Sequence, residues 1–108
     1  MTFDFELHPQ AENEYLAAIE WYELQAERLG EEFSQEVEKS FDRILANPER
    51  YRLTDKILRV IRVDRFPYSI FYHWDSRRSQ ILVTSVFHHR RRPDSLLNRI
   101  RSFPESPE

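Results

Sequence analysis

Thr2 to Leu7 alternates, with Phe3, Phe5 and Leu7 on one side and Asp4 and Glu6 on the other, the period-2 pattern of a half-buried strand. His8-Pro9 stops it. Ala11, Tyr15, Ala18, Ile19, Tyr22, Ala26 and Leu29 then recur at steps of three and four, so the spacing predicts a helix from about Gln10 to Leu29 with one apolar face. Pro9 suits its first turn, and Glu12 and Glu14 suit the positive end of its dipole. Gly30 follows the last periodic residue, where a left-handed cap favours a residue without Cβ, and is read as the turn between helices. Phe33, Val37, Phe41, Ile44 and Leu45 form the stripe of a second helix. Asn47-Pro48 ends it, because the residue before Pro is pushed out of the helical region. So short a connection predicts an antiparallel helical hairpin.

Beyond Asp55 the period changes. Leu58 to Asp64, Tyr68 to Trp74 and Gln80 to His89 are rich in β-branched and aromatic residues and are separated by Arg65-Phe66-Pro67 and by Asp75 to Ser79, which predicts a three-stranded meander. Alternation puts Tyr68, Ile70, Tyr72 and Trp74 on one face of the middle strand. In the last strand it groups Ile81, Val83, Ser85, Phe87 and His89 against Leu82, Thr84, Val86 and His88. Pro93 ends that strand, a short helix over Asp94 to Phe103 carries Leu96, Leu97 and Ile100, and Pro104 to Glu108 is a loose tail. Residues 1–103 are thus expected to form one domain. The fold class is α+β in the order β-α-α-β-β-β, an antiparallel sheet covered on one face by the helical hairpin. Apolar residues on both strand faces imply that the other face is partly covered too, by a partner.

Composition narrows the chemistry. The 108 residues include one Gly and no Cys. Glycine-rich dinucleotide and phosphate-cradling loops are therefore excluded, as are disulfides, thiolate metal sites and a catalytic thiol. No signal-peptide pattern or membrane-spanning run occurs, and a cytoplasmic location without a membrane partner is expected. His8, His73, His88 and His89 form no helical i, i+4 pair, so neither a metal nor a cofactor is expected.

Charge is distributed unevenly. Residues 1–50 hold thirteen acids and four bases, whereas residues 51–108 hold six acids and twelve bases. Arg outnumbers Lys fourteen to two, and Arg makes planar, bidentate contacts with carboxylate or phosphate. An anionic or macromolecular partner follows. The candidate contacts are Arg59, Arg62 and Arg65, with Arg62 on the opposite strand face from the other two, and the run His88, His89, Arg90, Arg91 and Arg92. Ordinary rim salt bridges are the competing reading. Adjacent strand residues face opposite ways, so His88 and His89 act on one atom only if the strand bulges. Trp21 and Leu24, off the main helical stripe, mark either a second contact surface or a widening of the buried face.

The element order, together with His8-Pro9-x-Ala11, Trp21-Tyr22, Asn47-Pro48, Arg62-x-x-x-Phe66-Pro67-Tyr68-x-Ile70-x-Tyr72 and Val86-x-His88-x-Arg90-Arg91-x-Pro93, resembles the RelE/ParE superfamily of type II toxin-antitoxin toxins over about residues 3–99. The likeness is to its ParE-like, plasmid-stabilisation branch. It implies a growth-inhibiting toxin, neutralised by a cognate antitoxin that wraps it in a hetero-oligomer. RelE-like members are ribosome-dependent mRNA endoribonucleases that use strand Lys and Arg and often a C-terminal Tyr, whereas ParE-like members are associated with inhibition of DNA gyrase. Here the position after Tyr68 is Ser69 rather than Arg, and no Tyr follows Tyr72. The resemblance therefore favours a non-enzymatic toxin that binds gyrase. The alternative is a ribonuclease acting on mRNA at the ribosome, for which Arg62, His88 and Arg90 would be the catalytic candidates. A third reading, from another class, is a non-toxic interaction module with the toxin fold.

Overall fold

In the computed structural model, residues 4–54 and 56–89 are described. The predicted helix at Asp94–Phe103 and the tail 104–108 lie outside them. Strand β1 (Asp4–Leu7) leads into α1 (Pro9–Gln25), then α2 (Leu29–Ala46), β2 (Leu58–Arg62), β3 (Tyr68–Asp75) and β4 (Gln80–His88). The order β-α-α-β-β-β is thus as the periodicities predict.

His8 starts α1: its Nδ1 accepts the Gln10 amide at 3.1 Å, and Pro9 fills the first helical position, where no amide hydrogen is needed. The helix ends at Gln25, four residues short of the predicted Leu29, because Ala26 is extended and Arg28 adopts the left-handed conformation at φ 70°. Gly30 is therefore not the turn. It lies in the first turn of α2, and its role is close approach: a Cβ there would sit 2.5 Å from the Ile19 carbonyl oxygen. Glu23 of α1 completes the junction, accepting the Arg28 amide at 2.9 Å and the Gly30 amide at 3.0 Å. One carboxylate thus caps the start of the next helix, where orphan amides concentrate positive partial charge.

Tyr15 packs on Phe41 and Phe33, and Tyr22 packs on Phe33. Moving up α1 therefore means moving down α2, as in an antiparallel hairpin. The stripe Phe33, Val37, Phe41 and Ile44 of α2 is buried against the sheet.

The strand order is β1-β4-β3-β2. β2, β3 and β4 form the antiparallel meander, but β1 runs parallel to β4, pairing Asp4 with Gln80 through Leu7 with Val83. The sheet is mixed rather than wholly antiparallel. Hairpin signals are local, whereas β1 reaches its partner only after the whole helical hairpin and meander intervene. β4 becomes a central strand, buried along nearly its full length.

Pairing along β3 and β4 shifts between Phe71 and Tyr72: Phe71 opposes Ser85, and Tyr72 opposes Val83. Thr84 is the extra residue of a bulge. The bulge changes the phase of β4, so Ile81, Val83 and Val86 all join the core under the helices, while Phe87 joins Leu58, Phe71 and Val60 in a second cluster. Strict alternation had grouped Phe87 with Ile81 and Val83. The extra residue is on β4, so β3 keeps its alternation, and Tyr68, Ile70, Tyr72 and Trp74 share the helix-facing core as predicted.

Candidate interaction site on the sheet

The three strand-region arginines have different fates. Arg59 donates from Nη1 to the carbonyls of Glu49 at 3.0 Å and Tyr51 at 2.8 Å, pinning the segment after α2 to the sheet. Arg65 sits in a left-handed turn, donates to Glu32 Oε1 at 2.9 Å, lies 3.9 Å from Glu36 Oε2 and covers the Phe66 ring. Both act within the fold. Arg62 is exposed, and its Nη2 lies 3.4 Å from His89 Nδ1.

The register explains that meeting. Arg62 pairs with Ser69, and Ser69 pairs with Phe87, so the three share one row across β2, β3 and β4. His89 follows β4, where its amide donates to the Pro67 carbonyl at 2.9 Å. Arg62, Ser69, Phe71, Phe87 and His89 surround a pocket of about 290 Å³. Phe71 and Phe87 stack with 5.4 Å between centroids and 11° between planes. A guanidinium and an imidazole thus stand at the rim of an apolar floor. Such a rim can hold an anion.

His88 points the other way. It opposes Tyr68, its ring meeting the tyrosine edge-on at 5.5 Å, and it borders a larger groove of about 690 Å³ between α1 and the sheet. Glu14, Trp21, Tyr22 and Tyr68 also line this groove. The two histidines therefore do not converge: the bulge lies upstream, and alternation resumes before them. Burial, with Tyr68 nearby, raises the Tyr22 phenol above its ordinary value. Trp21 and Leu24 are both exposed and do not widen the core, and of the two Trp21 lines the groove. Arg90, Arg91 and Arg92 lie outside the described residues.

Sequence reasoning left out Ser69, Phe71 and Phe87 as walls of the Arg62 pocket, although a register guess pairing Arg62 with Ser69 would have found the first. It also assigned Glu14 only to the helix dipole. Glu14 lies one step from Tyr15 and between Ala11 and Ala18 on the buried stripe, and that was the available signal. Its Oε1 accepts the Ser85 hydroxyl at 2.9 Å and the Val86 amide at 3.1 Å.

A family model for the ParE toxin of type II toxin-antitoxin systems, parDE, matches residues 5–93. The chain belongs to the ParE toxin family. Its architecture is similar to the chromosomal ParDE TA system from P. aeruginosa, with a TM-score of 0.68 and 13% identity over 81% of this chain and 96% of that one. It is also similar to a mutant of the E. coli toxin RelE in the free state, with a TM-score of 0.64 and 16% identity over 92% of this chain and 94% of that one. At such identities the likeness is one of fold. No curated sequence matches significantly. Among the described residues, no helix is long and apolar enough to cross a membrane.

Proposed function

We propose that this ParE-family toxin arrests growth by binding DNA gyrase, without cofactor or covalent chemistry, and is held inactive by a cognate antitoxin in the cytoplasm. The observation that carries the reading is the allocation of the strand-region arginines. Arg59 is committed to backbone carbonyls and Arg65 to helix carboxylates, so Arg62 alone of the three stands at the open pocket. Cleavage of a phosphodiester needs a general base, a general acid and cations converging on one phosphate. The described part of the pocket offers one guanidinium, one imidazole and a buried Ser69, which suits recognition better than turnover.

The ribonuclease reading retains one supporting observation, the approach of Arg62 to His89 at 3.4 Å, since an imidazole beside a guanidinium can move a proton next to a bound phosphate. Induced expression in a bacterium lacking the antitoxin separates the readings. The gyrase reading expects arrest with filamentation and DNA-damage signalling, relieved when the antitoxin is co-expressed. Immediate loss of translation with cleaved mRNA would support the nuclease instead. Unimpaired growth would favour a non-toxic module with this fold.

A further inference from the structure

The Arg62 pocket combines an apolar floor with a cationic rim. Arginine is a fork of five donors with no acceptor, and among the described residues the side-chain contact of Arg62 is the one from Nη2 to His89. Arg28, Arg43, Arg65 and Arg78 each face a carboxylate, but among the described residues no ion pair involves Arg62. The buried Ser69 lies on the same row. At about 290 Å³ the pocket is at the lower end of the range for small-ligand sites, roughly 300–1,000 Å³, and has room for a side chain rather than a nucleotide.

We infer that this pocket seats one carboxylate, an Asp or Glu side chain of the antitoxin, carried on a segment whose neighbouring residues are apolar. The inference rests on the reading that an antitoxin neutralises this chain. A carboxylate matches the guanidinium fork with two parallel hydrogen bonds, and His89 adds a donor when its Nδ1 carries a proton. The flanking apolar residues of the segment would lie over Val60, Phe71 and Phe87, the cluster beside the rim. A nucleic-acid strand fits less well, because successive phosphates call for a row of cations and successive bases for open aromatic faces. Among the described residues, Arg62 is the one arginine that lines the pocket, Phe71 and Phe87 are buried against each other, and Arg59 is turned to Glu49 and Tyr51.

The test uses the full chain with its co-expressed antitoxin, each Asp and Glu of the antitoxin being replaced in turn by Arg. Arg62→Glu is expected to weaken the complex about tenfold or more, with Arg62→Lys losing less because a point charge replaces the fork. A single antitoxin Asp or Glu replaced by Arg should restore affinity for Arg62→Glu while weakening the wild-type complex. Circular dichroism of the exposed-site variants checks that the fold is intact. Three results overturn the inference: wild-type affinity in Arg62→Glu, a loss that no antitoxin replacement restores, or displacement of the antitoxin by a short RNA in an Arg62-dependent way. If the wild-type chain binds no antitoxin at all, the underlying reading fails with it, and that outcome is recognisable before any substitution is made.

Discussion

Glu14 on α1 accepts the amide of Val86 on β4 at 3.1 Å, across 72 positions of sequence. β1 stops opposite Val83, so the carboxylate supplies an acceptor to the central strand just beyond its parallel partner and next to the Thr84 bulge. Glu14→Ala leaves the Val86 amide and Ser85 hydroxyl without this acceptor and should cost about 1–3 kcal/mol of stability. Glu14→Gln keeps an oxygen in place and should cost less. Urea denaturation of the two variants measures the difference, and equal losses would mean that the acceptor is not what matters.

Gly30→Ala is expected to destabilise by about 1–3 kcal/mol, although the same change inside an exposed helix would stabilise by up to about 1 kcal/mol. The added methyl has no room against the Ile19 carbonyl and the Glu23 side chain. Thermal unfolding gives the sign directly.

Tyr72 is fully buried and donates its hydroxyl to the Pro48 carbonyl at 2.7 Å. Burial pushes its phenol up to about 12 from an ordinary 10.0, with Arg59 pulling partly the other way. The folded state therefore holds this proton more tightly than the unfolded chain does. The associated stability is fully present below pH 10 and is lost as the pH rises from there to about 12. Tyr15, raised by burial and by Glu38, adds a slope of the same sign. Denaturation across that range should show a shallower loss in Tyr72→Phe than in wild type, on top of a lower starting stability from the missing hydrogen bond.

The three arginines should separate in a stability measurement. Arg59→Ala is expected to cost about 1–3 kcal/mol, since it removes charge-assisted bonds to two carbonyls. Arg65→Ala breaks a solvent-exposed pair with Glu32 and should cost no more than about 1 kcal/mol. Arg62→Ala should lie within about 0.5 kcal/mol of wild type, because its contact with His89, at 3.4 Å, is long and solvent-exposed. Urea midpoints with unchanged slopes check all three.

Elements set by local spacing were legible in the sequence. The Phe33, Val37, Phe41 and Ile44 stripe, the alternation of β3 and the stop at Asn47-Pro48 each encode their structure within a few residues. What depended on distant partners was not. Nothing near β1 says that it pairs in parallel with β4, and nothing at Thr84 says that the strand changes phase there. The helix junction misled for a related reason: the strained φ falls on Arg28, held by Glu23, while Gly30 answers to the Ile19 carbonyl of the opposing helix. For the site, composition pointed to arginine on the strands. Only the three-dimensional pairing separates Arg59 and Arg65, tied to Glu49, Tyr51, Glu32 and Glu36, from Arg62 at the pocket with His89.

The most direct test of the proposed activity is a supercoiling assay with purified DNA gyrase and the antitoxin-free chain, run beside its Arg62→Glu variant. Dose-dependent inhibition by the wild-type chain, weakened in the variant, is the expected result. Unimpaired supercoiling at every dose, together with cleavage of ribosome-bound mRNA by the same preparation, would contradict it.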